Sequence, residues 1–187
     1  MKSKKIAIFA SGSGTNAQNI IKYFSENENV TIDSVWSNNK DAYVLTRAAN
    51  FGIETVVFGK EEFTNSNFVV EKLEKRNIDL IVLAGFLWFL PSNLTQKFRI
   101  INIHPALLPK YGGKGMYGMN VHNSVVKNEE KESGISIHFV NDKYDDGELI
   151  FQAKCTVLPT DLPEDVANKI HKLEYKHFPE VIEKVLM

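Results

Sequence analysis

Short apolar runs alternate with longer amphipathic stretches over the N-terminal half of the chain. The runs are too short for buried helices, and the stretches between them carry apolar residues at helical spacing. This alternation predicts parallel strands joined by helices, in a sheet that is covered on both faces. The predicted strands are Ile6 to Ala10, Ile32 to Trp36, Thr55 to Phe58, Leu80 to Ala84 and Ile100 to Ile103; the predicted helices follow Asn16, lie near Ala42 to Asn50 and from Phe63 to Lys75, and follow Pro91.

The hydrophobic period changes to two from Gly134 to Val140, and a second run from Leu149 to Val157 follows the turn Asp145-Asp146-Gly147. Alternation on both sides of an Asp-Gly turn predicts an antiparallel hairpin at the edge of the sheet. His138 falls on the polar side of this alternation, and one interpretation is that it is merely solvated. A final helix is expected from Leu162, where proline and acidic residues occupy the first turn.

Length and composition narrow the class of protein. At ~150 residues per domain, 187 residues correspond most simply to one domain. The net charge of −1 provides no field that would draw nucleic acid or an anionic membrane. The longest apolar stretch, Leu80 to Leu90, falls well short of the ~18 residues that span a bilayer. The single cysteine, Cys155, and the absence of an export signal lead us to expect a reducing cytoplasm.

The glycine-rich turn from Gly12 to Asn16 stands between a predicted strand and a helix. Such a turn directs backbone N–H groups and a helix dipole at an anion, which predicts a phosphate site. Gly12 to Ala17 also fits the dinucleotide pattern G-x-G-x-x-A, but the second strand ends in Ser37-Asn38-Asn39 without the acid that would hold a ribose. A dinucleotide is therefore disfavoured, while a phosphate and a turn without ligand both remain open.

Asn102 and His104 end the fifth predicted strand, and their side chains share a face because they are two residues apart. The carboxyl ends of parallel strands are where ligands usually bind, so an amide donor and an imidazole there could hold a developing oxyanion. The following loop, Pro109 to Gly118, is either a flap over a ligand or an ordinary surface loop. The turn at Asp145 needs no chemistry to explain it, and the histidine spacing does not favour zinc.

Four segments together resemble the phosphoribosylglycinamide formyltransferases, a branch of the folate-dependent formyltransferases. They are IAIFASGSGTN at the start, IVLAGFL, INIHPALLPKYGG and GISIHFVNDKYDDGELIFQAK, and the resemblance covers essentially the whole chain. It implies one domain over 1–187 with a three-layer, Rossmann-like formyltransferase fold. The phosphate-binding half would be about 1–100, and the folate-binding and catalytic half about 101–187.

The resemblance also implies three sets of site residues. The catalytic set is Asn102, His104 and Asp145. Binding of glycinamide ribonucleotide is implied for Gly14, Thr15, Asn16 and Glu174. Folate binding is implied for Leu87, Trp88, Phe89, Leu90, Asn102, Asn141, Asp142, Lys143, Tyr144 and Asp145, and no metal ligand is expected. Trp88 departs from the family pattern, since many relatives carry a basic residue there.

The activity implied by the resemblance is transfer of the formyl group of 10-formyltetrahydrofolate to the ribonucleotide amine, in purine biosynthesis. The amine would attack the formyl carbon directly and give a tetrahedral intermediate. The expected partners are small molecules, without nucleic acid or membrane, and the chain would be a monomer or weak homodimer. The alternatives are an enzyme like the methionyl-tRNA formyltransferases or the formylfolate hydrolases, and a nucleotide-binding module without catalysis.

Overall fold

The computed structural model describes residues 3–187, so the first two residues of the expected 1–187 domain lie outside the described part. The strands are β1 (Lys4–Phe9), β2 (Val30–Ser37), β3 (Glu54–Val57), β4 (Leu80–Leu83), β5 (Ile100–His104), β6 (Glu132–Phe139) and β7 (Leu149–Thr156). The helices are α1 (Thr15–Phe24), α2 (Tyr43–Asn50), α3 (Lys60–Thr64), α4 (Phe68–Arg76), α5 (Ser92–Thr95), α6 (Met119–Lys127) and α7 (Pro163–Leu186).

The strands form one sheet in the order β3-β2-β1-β4-β5-β6-β7. β1 pairs in parallel with β2 and β4, with Ile8 opposite Val35 on one side and Val82 on the other, while β6 and β7 are antiparallel. The expected three-layer α/β fold, with a mostly parallel sheet and an antiparallel edge hairpin, is confirmed. None of the helices within residues 3–187 is both long and apolar enough to cross a membrane.

The chain divides into two compact units. The first runs as far as Ile101 and is completed by Ile182–Met187, and the second is Asn102–Val181. In the first unit, Ile6 to Ala10 are fully buried, as a strand covered on both faces requires. α1 buries Ala17, Ile20, Ile21 and Phe24, which recur at helical spacing. The expectation that the chain forms a single domain stays a prediction.

The helix expected from Phe63 to Lys75 is wrong, because two helices, α3 and α4, occupy this stretch. Asn65, Ser66 and Asn67 separate them. Ser66 Oγ donates to the carbonyl of Glu62 at 2.9 Å and accepts from the N–H of Phe68 at 3.2 Å. Such side-chain bonds to the backbone compete with the helical ladder, so the apolar period continues while the helix does not.

The second unit contains the β6–β7 hairpin, and here the interpretation of His138 as solvated is wrong. His138 is only 2% exposed, and Ser136 on the same face is fully buried. Residues on both faces of β6 are buried. Its polar face packs on the chain that follows β5. Ser136 Oγ donates to the carbonyl of Ala106 at 2.6 Å and accepts from the N–H of Leu108 at 2.9 Å. The polar period of β6 therefore marks internal hydrogen bonding rather than solvent.

Candidate active site

The glycine-rich turn of the first unit leads into α1 as expected. Gly14 precedes the helix in a left-handed conformation, with φ of 73°. A Cβ at this position would lie 2.3 Å from Cγ2 of Val44, so both the backbone angle and the packing of α2 require glycine. The first N–H groups of a helix have no partner within it, which makes this helix start suited to an anion.

Arg47 adds a positive charge beside the same turn, and sequence reasoning missed it. Its Nε donates to the carbonyl of Ser13 at 2.8 Å, and its guanidinium also bonds to Gln18 in α1. The guanidinium lies 4.8 Å from the ring centre of Tyr43. The sequence does show a basic residue in the helix that follows the second strand. Whether this residue reaches the glycine-rich turn depends on how α2 packs, which the sequence does not show.

The segment after β4 presents apolar side chains to solvent. Leu87 is 53% and Phe89 is 42% exposed, whereas Leu90 is buried. Trp88 lies edge-on to Phe58, with ring centres 6.2 Å apart, and belongs to a larger aromatic cluster. Exposed apolar side chains on an anchored segment suit the flat face of an aromatic or heteroaromatic ring.

His104 is held at the end of β5 by the backbone of the following loop. Its Nε2 lies 2.7 Å from the carbonyl oxygen of Tyr111, and the side chain is buried. A carbonyl oxygen only accepts, so Nε2 carries a hydrogen and Nδ1 is the atom that can gain or lose a proton. Nδ1 faces Asp145, at 3.6 Å from Oδ2.

A side-chain hydrogen bond links Asn102 to His138, whose ring is also held by a backbone carbonyl. His138 Nδ1 lies 2.8 Å from the carbonyl of Phe139, so it carries the hydrogen and Nε2 is left to accept. The amide nitrogen of Asn102 donates to Nε2 at 3.2 Å. This bond fixes which end of the amide is the donor, and within residues 3–187 the second N–H of the amide makes no hydrogen bond.

Asp145 lies between the two imidazoles. Its Oδ1 is 3.6 Å from His138 Nε2, and its Oδ2 accepts the N–H of Gly113 at 2.9 Å. Burial opposes its ionisation, but the His138 ring, the charge of His104 and the Gly113 bond together lower the pKa of the carboxyl. The backbone of Asp145 is left-handed, with φ of 48°, a conformation that aspartate tolerates better than most residues.

The pKa of His104 is lowered, chiefly because burial disfavours the charged imidazole. The charge of Asp145 and the bond to the Tyr111 carbonyl act in the opposite direction. A carboxyl group with a lowered pKa therefore faces an imidazole whose own pKa is lowered by burial. Such a pair can take up a proton and release it again in the same cycle.

Glu174 in α7 is buried, and its Oε2 lies 3.0 Å from Nδ1 of His171. The bond to Glu174 raises the pKa of His171. His122 in α6 is also buried, and its Nδ1 has no hydrogen-bond partner in the described part of the chain. These groups belong to the same unit as Asp145, and the carboxylate of Glu174 can pair with an amine group of a ligand.

The loop before Asp145 is exposed. Asn141, Asp142, Lys143 and Tyr144 all present side chains to solvent, and the Oδ1 of Asn141 accepts the N–H of Lys143 at 2.9 Å. Their predicted contacts with folate stay predictions, as do those of the Leu87 to Leu90 segment.

The second unit thus brings Asn102, His104 and Asp145 together, and His138 joins them. Sequence reasoning missed His138, although its period-two relation to Ser136 could have placed both on one buried face. No group of three or more histidine, cysteine, aspartate or glutamate side chains between residues 3 and 187 is arranged to hold a metal ion. The arrangement provides a preorganised N–H donor beside an imidazole–carboxylate pair, as transfer of an acyl or formyl group requires.

The fold and this site define a formyl transferase, and residues 4–182 match the family model described as Formyl transferase. The chain belongs to that family. It is 38% identical to a phosphoribosylglycinamide formyltransferase of Haemophilus influenzae, over 96% of this chain and 85% of that protein. It is also 38% identical to the chloroplastic phosphoribosylglycinamide formyltransferase of Arabidopsis thaliana, over 97% of this chain, but it spans only 65% of that protein's length.

The solved structures similar in fold include proteins of the same name as these sequence relatives. A phosphoribosylglycinamide formyltransferase from Streptococcus pneumoniae TIGR4 matches with a TM-score of 0.86 and 34% identity, over 98% of this chain and 99% of that one. A glycinamide ribonucleotide transformylase from Geobacillus kaustophilus matches with a TM-score of 0.90 and 28% identity, over the full length of both chains. The resemblance to the phosphoribosylglycinamide formyltransferases is confirmed, and these names do not favour the tRNA-directed, hydrolytic or non-catalytic alternatives.

Proposed function

We propose that this chain transfers the formyl group of 10-formyltetrahydrofolate to the amine of glycinamide ribonucleotide, as a phosphoribosylglycinamide formyltransferase of purine biosynthesis. The observation that carries the proposal is the convergence of Asn102, His104 and Asp145 in a chain of the formyl transferase family. The products are formylglycinamide ribonucleotide and tetrahydrofolate. The formyl donor is a cosubstrate, and the chemistry needs no metal.

The acceptor is proposed to bind through its two ends. The turn at Gly14, Thr15 and Asn16 takes the phosphate, because the helix start provides backbone N–H groups and Arg47 provides charge nearby. Glu174 takes the glycinamide end, because a buried carboxylate pairs well with an amine.

The folate is proposed to lie against exposed apolar side chains. Leu87 and Phe89 offer the largest of these near the end of β4, with Trp88 packed behind them. The loop from Asn141 to Tyr144 supplies polar contacts, and Asp145 follows directly.

Asn102 stabilises the charge that forms when the amine attacks the formyl carbon. As the carbon becomes tetrahedral, its oxygen becomes negative, and the second N–H of the amide donates to it. His138 accepts the first N–H, so the donor does not need to reorient during the reaction. One preorganised donor of this kind typically contributes ~3 to 4 kcal/mol to transition-state stabilisation.

His104 and Asp145 move the proton. The attacking amine loses a proton, and the departing N10 of folate gains one, so the net reaction neither consumes nor releases a proton. The Nδ1 of His104 is the atom that exchanges, because Nε2–H is bonded to Tyr111. Asp145 stabilises the imidazolium while the proton resides there.

The test is formyl transfer from 10-formyltetrahydrofolate, followed by folate absorbance, with glycinamide ribonucleotide or water as acceptor. We expect turnover only with the ribonucleotide, and a loss of kcat of about 10² to 10³ in Asn102→Ala. Asn123→Ala on α6 is the matched control, because Asn123 is exposed and has no role in the proposal. Formate release without an acceptor would instead identify a hydrolase, and full activity of Asn102→Ala would exclude the proposed donor.

A monomer or weak homodimer, a cytoplasmic location and the lack of a nucleic-acid partner stay predictions. Gel filtration and titration with a tRNA test the first and the last of them directly.

A further inference from the structure

Three consecutive residues of the loop after β5 hold both members of the proposed proton-transfer pair. The carbonyl of Tyr111 accepts from His104 Nε2 at 2.7 Å, and the N–H of Gly113 donates to Asp145 Oδ2 at 2.9 Å. Gly112, between them, packs so closely that a Cβ there would lie 3.3 Å from the Cβ of Asp145. The position of this short stretch therefore sets the geometry of both groups.

The backbone of Tyr111 is unfavourable in isolation. Its φ is 57°, in the left-handed region that costs a residue with a side chain about 1 kcal/mol or more. Such a conformation persists when its surroundings hold it in place. The carbonyl that His104 uses is turned toward the imidazole by this conformation.

The phenol of Tyr111 provides the anchor. Its Oη donates to Glu130 Oε1 at 2.9 Å and accepts from Asn128 Nδ2, also at 2.9 Å. Glu130 and Asn128 lie between α6 and β6, outside the loop itself. Lys110, the neighbouring residue, also binds Glu130, at 3.0 Å, but it gives no bond to either His104 or Asp145.

We propose that Tyr111 is a positioning residue: its phenol, held by Glu130 and Asn128, keeps the backbone carbonyl on His104 Nε2 and so assigns the exchanging proton to Nδ1. The proposal rests on the role of His104 under the proposed function. It adds that the phenol of Tyr111, which bonds to neither His104 nor Asp145, sets which nitrogen of the imidazole carries the hydrogen.

The charged and titratable groups that face His104 are Asp145 from the hairpin loop, His138 from β6 and Glu174 from α7. None of them is altered by removing the phenol oxygen of Tyr111. A change in the titration of His104 in Tyr111→Phe therefore reports on the backbone stretch that holds both His104 and Asp145, and the population with hydrogen on Nε2 reports on the carbonyl bond itself.

The experiment measures kcat, both KM values and the pH dependence of kcat, and records the ¹⁵N shifts of the His104 ring in the free protein. The variants are Tyr111→Phe, Glu130→Ala, Glu130→Gln and Lys110→Met. Tyr111→Phe and Glu130→Ala are expected to lower kcat about tenfold, the effect of one hydrogen bond, with both KM values little changed. Glu130→Gln keeps an acceptor oxygen and should retain most of the activity, and Lys110→Met should match the wild type.

The spectrum distinguishes positioning from simple loss of structure. In Tyr111→Phe and Glu130→Ala, the pKa of His104 should fall, and the population with hydrogen on Nε2 should decrease, because the carbonyl that favours both is released. A wild-type tautomer and pKa in both variants would overturn the proposal, whatever happens to kcat. If His104→Asn keeps full turnover, the catalytic role of His104 fails, while the spectra still decide whether Tyr111 sets the tautomer.

Discussion

The glycine-rich turn offers a sharp test of how the backbone builds the proposed phosphate site. Gly14→Ala adds one methyl group at a residue whose φ is 73°. The new Cβ would lie 2.3 Å from Cγ2 and 2.5 Å from Cβ of Val44, and 2.8 Å from its Cα. Because backbone as well as side-chain atoms are in the way, no rotation of Val44 relieves the overlap, and the start of α2 must move.

The cost has two parts. A left-handed conformation costs alanine about 1 to 2 kcal/mol relative to glycine. Overpacking in a buried contact typically adds about 1 to 3 kcal/mol, and Val44 is fully buried. The lower entropy of the unfolded alanine chain offsets less than about 1 kcal/mol of this. We therefore expect the free energy of unfolding to fall by about 1 to 5 kcal/mol.

Urea unfolding measures this loss, and Gly12→Ala is the matched control. Gly12 lies two residues earlier in the same turn and does not need a positive φ, and a Cβ added to it would meet no other atom within 4 Å. Gly12→Ala should change the stability by less than about 0.5 kcal/mol. In the folded fraction of Gly14→Ala, the KM for glycinamide ribonucleotide should rise about tenfold or more, since hydrogen bonds to a charged phosphate are weakened, while kcat changes less.

Equal stability of the two alanine variants would refute the packing argument. A destabilised Gly14→Ala with an unchanged KM for the ribonucleotide would leave the packing argument intact and exclude the turn as the phosphate site.

Three further predictions concern the proton-transfer pair and a charge network. Asp145→Asn should lower kcat at least about a hundredfold and keep the fold, because asparagine still accepts from the loop and tolerates the left-handed backbone; kinetics and a melting curve check this. His138→Ala should lower kcat about tenfold, less than Asn102→Ala, because the donor remains but loses its orientation; the ratio of the two kcat values is the measurement. Asp33 in β2 is partly buried, which opposes its ionisation, but bonds from Lys5, Ser34 and Arg76 lower its pKa. A carboxyl group whose pKa is lower in the folded than in the unfolded protein stabilises the fold at pH values above its unfolded pKa. This stabilisation is lost as the pH falls through its folded pKa. The stability difference between wild type and Asp33→Asn should therefore be full at pH 7 and vanish in acid, which thermal melts across that pH range measure.

The parallel half of the fold could be predicted from the sequence because its signal is local. β1, β4 and β5 are short runs of mostly apolar residues, as strands that are buried on both faces must be. The longer helices carry their buried residues at a spacing of three and four. The motif around Asn102 and His104 was equally visible, since residues two apart on a strand necessarily share a face. The division of the Phe63 to Lys75 stretch was missed because side-chain bonds from Ser66 interrupted a helix whose apolar period continued.

The sequence by itself determined the type of sheet, the order of its elements, the family and the side chains that the chemistry needs, because these follow from local periodicity and from motifs. The tertiary structure decided what surrounds those side chains. His138 is buried because both faces of β6 are covered. Tyr111 contacts His104 through its backbone carbonyl, and a backbone contact cannot be predicted from the identity of a side chain. Which nitrogen of each imidazole carries a proton depends on such backbone contacts between residues far apart in the chain, and no local pattern encodes them.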